Sequence, residues 1–232
     1  DTPHGVPPFD KILPEHFMPA FERGMSLHEA EIDAITSNKD EATFENTILA
    51  YDNAGQMLAQ TELVFGMLCA AETNDRMQAL QEQAMPLLAA HRDKIRLDDK
   101  LFVRVKEVYD RRAALGLDAE QMRLLQKTYD SFVRAGALLD AEQKARLKEI
   151  NGQLSLTAVK FGNNILAENN NFVLELKSDE LDGLPAGIRD AAREKAQQMG
   201  KGDKWVFTLH KPSLIPLLTY STRRDLREKI YK

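Results

Sequence analysis

The sequence predicts a mainly α protein: a helical bundle with a small β element near its C-terminal end. Apolar residues recur at helical spacing through most of the first 170 positions. Two capping boxes stand in tandem, Asp118 with Gln121 and Asp140 with Gln143. The pattern turns to strand-like alternation only in two late stretches, "NFVLEL" and "KWVFTL".

The elements follow in order. "DTPHGVPPFDKI" holds three prolines and a glycine, so residues 1–13 read as an extended arm. Pro14 suits the first position of a helix, and Phe17, Phe21, Ile32 and Ile35 continue at helical spacing past Gly24. A second, long helix starts at a Thr43 N-cap and carries Phe44, Ile48, Tyr51, Leu58, Phe65 and Leu68. A third places Met77, Leu80, Ala84, Leu87, Leu88 and Ile95 on one side, with Pro86 as a kink. A fourth, "DDKLFVRVKEVYDRRAALG", closes at Gly116. The Asp118 box opens a helix through Leu124, Leu125, Phe132 and Val133. The Asp140 box opens a long one through Leu147, Ile150, Leu154, Phe161 and Ile165. Asn151-Gly152 ordinarily marks a turn, but the periodicity runs straight through it. The bundle thus occupies 14–170, and 171–232 form a small α/β segment: strand, helix ending at Gly200, strand, a loop with Pro212, and one or two short helices. The last amphipathic pattern stops at Lys232 without a cap, as in a chain cut from a longer one. No repeat of 33–45 residues is present, against a helical array.

Composition narrows the functional classes. The 232 residues carry a formal net charge of −5, and the paired arginines at 111–112 and 223–224 make no basic patch, so nucleic acid is not an expected partner. No apolar run reaches the ~20 residues of a membrane span, and a membrane is not expected either. Cys69 is the single cysteine and sits among Met67, Leu68 and Ala70, the setting of an inert core thiol. Lack of disulfides suits a cytoplasmic protein; a removed leader would make it periplasmic.

Reactive motifs are scarce. His28-Glu29 is the first half of H-E-x-x-H, in which two histidines a helical turn apart bind zinc and the glutamate is the general base. The position where the second histidine should stand is Ile32, which faces the core. His28 and Glu29 therefore read as surface residues of an early helix. The five histidines, at 4, 16, 28, 91 and 210, include no pair three to five apart. His91 reads as an ordinary surface cation late in its helix. There is no G-x-S-x-G, G-x-G-x-x-G or phosphate-binding loop. Trp205 is expected as a core anchor. No catalytic, cofactor-binding or metal-ligating residue is expected in this chain.

Three stretches carry a resemblance. "TPHGVPPFDKI" with "PEHFMPAFE", then "ATFENTILAYDNAG", then "KWVFTLHKPSLIPLLTYSTRRDLREKIY" resemble, in order and spacing, the amino-terminal region of the thimet oligopeptidase family of zinc metallopeptidases. The third, with its W-x-F-T-L-x-x-P-S core, is the most specific; the first favours the peptidyl-dipeptidase branch over oligopeptidase A. Arg223, where asparagine is expected, and Gly152, in a helix usually unbroken, depart from the pattern. The resemblance implies the amino-terminal part of a two-domain, channel-forming metallopeptidase. It also implies a parent that holds zinc through H-E-x-x-H and cleaves short peptides, with the motif glutamate activating the zinc-bound water. Those residues belong to a catalytic C-terminal half, the expected partner of this chain, which itself lacks H-E-x-x-H and should be inactive alone. Its expected role is a channel wall restricting substrate access. The competing reading is a stand-alone helical module that binds peptides or a protein.

Overall fold

Proline opens the bundle. Pro14 starts a 3-10 turn, Pro14–His16, where a missing backbone donor costs nothing, and the turn feeds the first long helix. In a computed structural model, which describes residues 3–232, the chain divides into one unit running to Lys160 and another, Phe161–Lys232. Asp1 and Thr2, the start of the expected arm, lie outside the described residues. The rest of the arm folds into turns: the carbonyls of Pro7 and Pro8 accept from the amides of Phe9 and Lys11.

In the first unit, α1 (Phe17–Ser37) buries Phe17, Phe21, Gly24, Ile32 and Ile35. Gly24 is a contact residue: a Cβ there would stand 3.0 Å from the Leu58 Cα of a neighbouring helix. Thr43 caps the next segment, its hydroxyl accepting from the Asn46 amide while the Asn46 side chain accepts from the Thr43 amide. The long helix expected from Thr43 is broken. A π-helical turn, Phe44–Leu49, runs into α2 (Ala50–Asp52), the chain turns through Gly55, and α3 (Gln56–Ala71) begins anew. Gly55 has φ of 74°, a left-handed conformation that ends the run.

α4 (Asp75–Arg96) is capped by Asn74 and continues through Pro86. Leu87, expected inside, is exposed, whereas His91 joins the buried face with Ala84, Leu88 and Ile95. α5 (Asp99–Asp110) stops short of Gly116. Arg112 turns back over the Tyr109 ring and donates to the Tyr109 carbonyl, and Arg111 reaches the Ala42 carbonyl and the Glu41 carboxylate, so side chains take over from the helix ladder. α6 (Ala119–Arg134) and α7 (Ala141–Asn171) start at their Asp–Gln boxes as expected.

Two clusters make this unit's core. One joins Phe17, Phe21, Leu58, Phe65, Met77 and Leu88, with Phe21 and Phe65 in edge-to-face contact at 5.3 Å. The other joins Ile48, Leu101, Val105, Leu125 and Phe132. Cys69 is half-buried beside the first, and burial raises its thiol pKa, in keeping with an inert side chain. α7 contributes little to either core. Of its expected stripe, Ile150, Leu154, Phe161 and Ile165 are exposed, Leu154 at 62% and Phe161 at 66%, while Val159 and Lys144 are buried.

In the second unit, β1 (Leu174–Leu176) pairs antiparallel with β2 (Trp205–Phe207), Leu174 opposite Phe207 and Leu176 opposite Trp205. The alternation is plain: Leu174 and Leu176 are buried, and Glu175 points out to Lys201. α8 (Ala186–Gln198) connects the strands in sequence and adds Ala192 to the core they share, and α9 (Lys211–Tyr220) and α10 (Arg224–Tyr231) close that core with Leu217, Leu226 and Ile230. Pro212, expected in a loop, is in the first turn of α9. Trp205 is half-buried, with the Arg193 guanidinium 5.4 Å above its ring. Among the described residues no helix is long and apolar enough to cross a membrane.

Candidate functional site

His28 and His91 are 63 positions apart in sequence, yet α1 and α4 bring them together: His91 Nε2 lies 3.0 Å from His28 Nδ1. His91 is 5% exposed and His28 is half-buried, so neither is the surface residue expected from its local sequence. On its other side, His91 Nδ1 faces the Glu29 carboxylate at 3.5 Å and makes no hydrogen bond. Glu29 is in turn held by Lys94 at 2.8 Å. Adjacent residues on α1 thus point at one residue of α4 from both sides.

The pair is locked from a third direction. The His28 ring fills the space a Cβ on Gly55 would need, 2.9 Å from Nδ1. The Gly55 amide donates to Glu31 at 2.7 Å. The glycine that breaks the expected long helix is therefore seated on α1 by the same helical turn that carries the histidine.

The electrostatics follow from burial. Desolvation lowers the pKa of His28, and His91 lowers it further, against Glu31 and Glu29, which raise it. Desolvation also lowers the pKa of His91, against the pull of Glu29. The Lys94 hydrogen bond lowers that of Glu29 and keeps it ionised. A carboxylate beside His91 Nδ1 favours the tautomer with its proton there. Nε2 then accepts, and His28 Nδ1 donates to it.

Cavities lie elsewhere among the described residues. A groove of about 570 Å³ runs between the arm and α3, lined by Pro7, Ile12, Phe17, Leu63 and Val64. In the second unit a pocket of about 310 Å³ is lined by α8 and by Thr208, His210 and Ser213. There the Thr208 amide donates to the Ser213 hydroxyl, and His210 Nδ1 lies 3.3 Å from the Thr208 hydroxyl; among the described residues no carboxylate pairs with His210, so no Ser-His-acid relay assembles there.

Comparison with known proteins places this geometry in context. Dipeptidyl carboxypeptidase of Escherichia coli (strain K12) is 37% identical over 230 residues, covering 99% of this chain and 34% of that protein. The Salmonella typhimurium (strain LT2) enzyme of the same name is 35% identical over 230 residues, with the same coverage of both chains. Along its whole length, the chain matches the amino-terminal third of peptidases of the thimet oligopeptidase family. Oligopeptidase A of E. coli is 25% identical over 232 residues, 100% of this chain and 34% of its own. The chain thus spans about a third of the length of these relatives and is more similar to the dipeptidyl carboxypeptidases than to this oligopeptidase A. No family model matches it.

The zinc that the thimet oligopeptidase resemblance implies does not fit the residues present. Zinc takes three or four converging N, O or S donors. His28 and His91 spend their facing nitrogens on each other, and Ile32 is buried where a second motif histidine would be. Among the described residues no group of three or more His, Cys, Asp or Glu is arranged to hold a metal ion. No step of zinc chemistry is assigned to this chain.

The histidine pair escapes a reading of local motifs because its members are distant in sequence. One signal was available. Positions 84, 88, 91 and 95 recur at helical spacing, which puts His91 on the same face as Ala84, Leu88 and Ile95.

Proposed function

We propose that this chain is the non-catalytic amino-terminal region of a zinc metallopeptidase that cleaves short peptides, releasing dipeptides from their C-termini. In that enzyme it supplies a wall of the channel leading to the catalytic half and admits short, unfolded substrates in preference to folded proteins. The observation that carries the reading is the whole-chain match to the first third of dipeptidyl carboxypeptidase, with no H-E-x-x-H within the matched part. A rigid bundle suits the role: a wall must hold its shape against a peptide and keep bulk water from the reacting carbonyl.

The exposed apolar residues of α7 support a partner of the same polypeptide. Ile150 and Leu154 in the first unit, and Phe161 and Ile165 in the second, have the spacing of a buried helix face and are open to solvent. A catalytic half packed there would cover them.

The test is an assay of the purified 232-residue chain on a blocked short peptide with zinc added. The expected result is no turnover. Turnover that a chelator abolishes, and that a mock preparation lacks, overturns the reading. The coding sequence beyond Lys232 provides the second arm: an open frame reaching H-E-x-x-H supports the peptidase, and a stop codon favours a stand-alone binding module.

A further inference from the structure

The contact between His28 and His91 is unusual in what it does on protonation. In the neutral state one hydrogen bond joins the rings: His28 Nδ1 donates to His91 Nε2, and His91 Nδ1 turns its proton towards the Glu29 carboxylate 3.5 Å away without bonding to it. A first added proton has a place to go, since His28 Nε2 takes it and the inner hydrogen bond survives. A second has none. It must enter at His91 Nε2, where an N–H would meet the N–H of His28 across 3.0 Å, and two cations would share a site that burial already strips of water.

The groups facing the pair are few and come from each element packed around it. α1 presents Glu29 and Glu31. α4 presents Lys94, and Arg92, which pairs with Glu62 of α3 at 3.3 Å. Glu29 is shared with Lys94 and Glu31 with the Gly55 amide, so the two carboxylates offset only part of the charge of a second imidazolium, and burial outweighs them.

We propose that the Glu29–His91–His28 chain is an acid-sensitive latch that joins α1, α4 and the turn before α3 while the imidazoles are neutral, and loosens that junction when the pair takes its second proton. The direction follows from burial. The imidazoles hold protons less readily here than at their ordinary value of 6.5, so the unfolded chain binds more protons in mild acid. The stabilisation is complete above about 6.5 and is lost as the pH falls below it. Each pH unit over which the folded chain holds one proton fewer lowers the folding constant about tenfold.

The test compares denaturant unfolding of the wild type, His28→Gln and His91→Leu from about pH 7.5 down to about pH 5, the window in which histidine titrates. His4, His16 and His210 are common to all three proteins and cancel in the comparison. The wild type is expected to lose stability more steeply with acid than either variant; parallel curves overturn the latch. Should a variant fail to fold, wild-type NMR decides. The two rings are expected to titrate below 6.5 in coupled steps, with protection of the Gly55 amide against exchange lost over the same range. Rings that titrate independently at 6.5, or a Gly55 amide indifferent to pH, overturn the proposal.

Discussion

Two polar clusters are built into the same helical unit, and they solve burial differently. Arg104 of α5 is 9% exposed and gives its guanidinium to the carbonyls of Asn38 and Asp40, at 3.0 and 3.1 Å, and to Asn46 Oδ1 at 3.0 Å. The guanidinium is a planar, rigid fork, and its two terminal nitrogens meet these acceptors while the buried Nε makes no hydrogen bond. In the histidine pair of α1 and α4, His91 is buried to a similar degree and His28 only half, and the charge depends on pH. One cluster ties a loop to a helix unconditionally; the other makes the joint between two helices conditional on the solvent. The difference lies in the groups themselves, since a guanidinium cannot give up its proton where an imidazole can.

The sharpest way to break the comparison is to remove the permanent member. Arg104→Leu takes the guanidinium from the carbonyls of Asn38 and Asp40 and from Asn46 Oδ1, which keeps the Thr43 amide and the Thr47 hydroxyl as donors. The partners left behind are neutral, and each buried acceptor that loses its donor costs about 1–3 kcal/mol. Chemical denaturation should show that loss equally at about pH 7.5 and about pH 5, the two ends of the range used for the histidines. A loss that grows with acid would mean the two clusters are coupled and the contrast is false.

A smaller effect comes from the turn the histidine pair rests on. Gly55→Ala forces a left-handed conformation on an alanine and drives its Cβ into the His28 ring. The backbone strain costs about 1–2 kcal/mol, and the collision adds to it. The double variant with His28→Ala should recover the collision and leave the strain. A double-mutant cycle read by thermal melting separates them; strict additivity would mean that the ring does not sit where the turn needs it.

Smaller still is the cap that opens the arginine loop. Thr43→Ala removes the hydroxyl that accepts from the Asn46 amide and should cost about 1 kcal/mol. Asn46 also accepts from Arg104, so part of the loss should vanish in an Arg104→Leu background. Equal costs in both backgrounds would show that cap and guanidinium act independently.

These sites also mark how far the sequence alone could be read. Helix starts at Asp118, Asp140 and Thr43 were legible because a cap is a relation among four neighbouring residues. The strands were legible because alternation is local as well. The break at Gly55 was not, since the apolar spacing runs through it and what seats the turn there, His28 and Glu31, belongs to another helix. The early end of α5 depends on Arg111 reaching Ala42, and the fate of His91 on which residue of α1 stands opposite. In the candidate site, the sequence named His28 and Glu29 and assigned them to the surface. The missing information was the pairing of α1 with α4, which no short motif contains.

The least stability effect of all is expected on α7, and it returns the comparison to function. Leu154 is 62% exposed, so Leu154→Gln should change the melting of this chain by no more than about 0.5 kcal/mol, as at an ordinary surface position. Val159→Asn on the same helix exchanges a buried methyl surface for an amide and should cost roughly 1–3 kcal/mol. If the apolar residues of α7 are covered by a catalytic half, the ranking changes in the longer protein. Leu154→Gln then becomes costly there while remaining silent in the 232-residue chain. A variant silent in both would leave α7 facing solvent in the parent and remove the support it lends to an intramolecular partner.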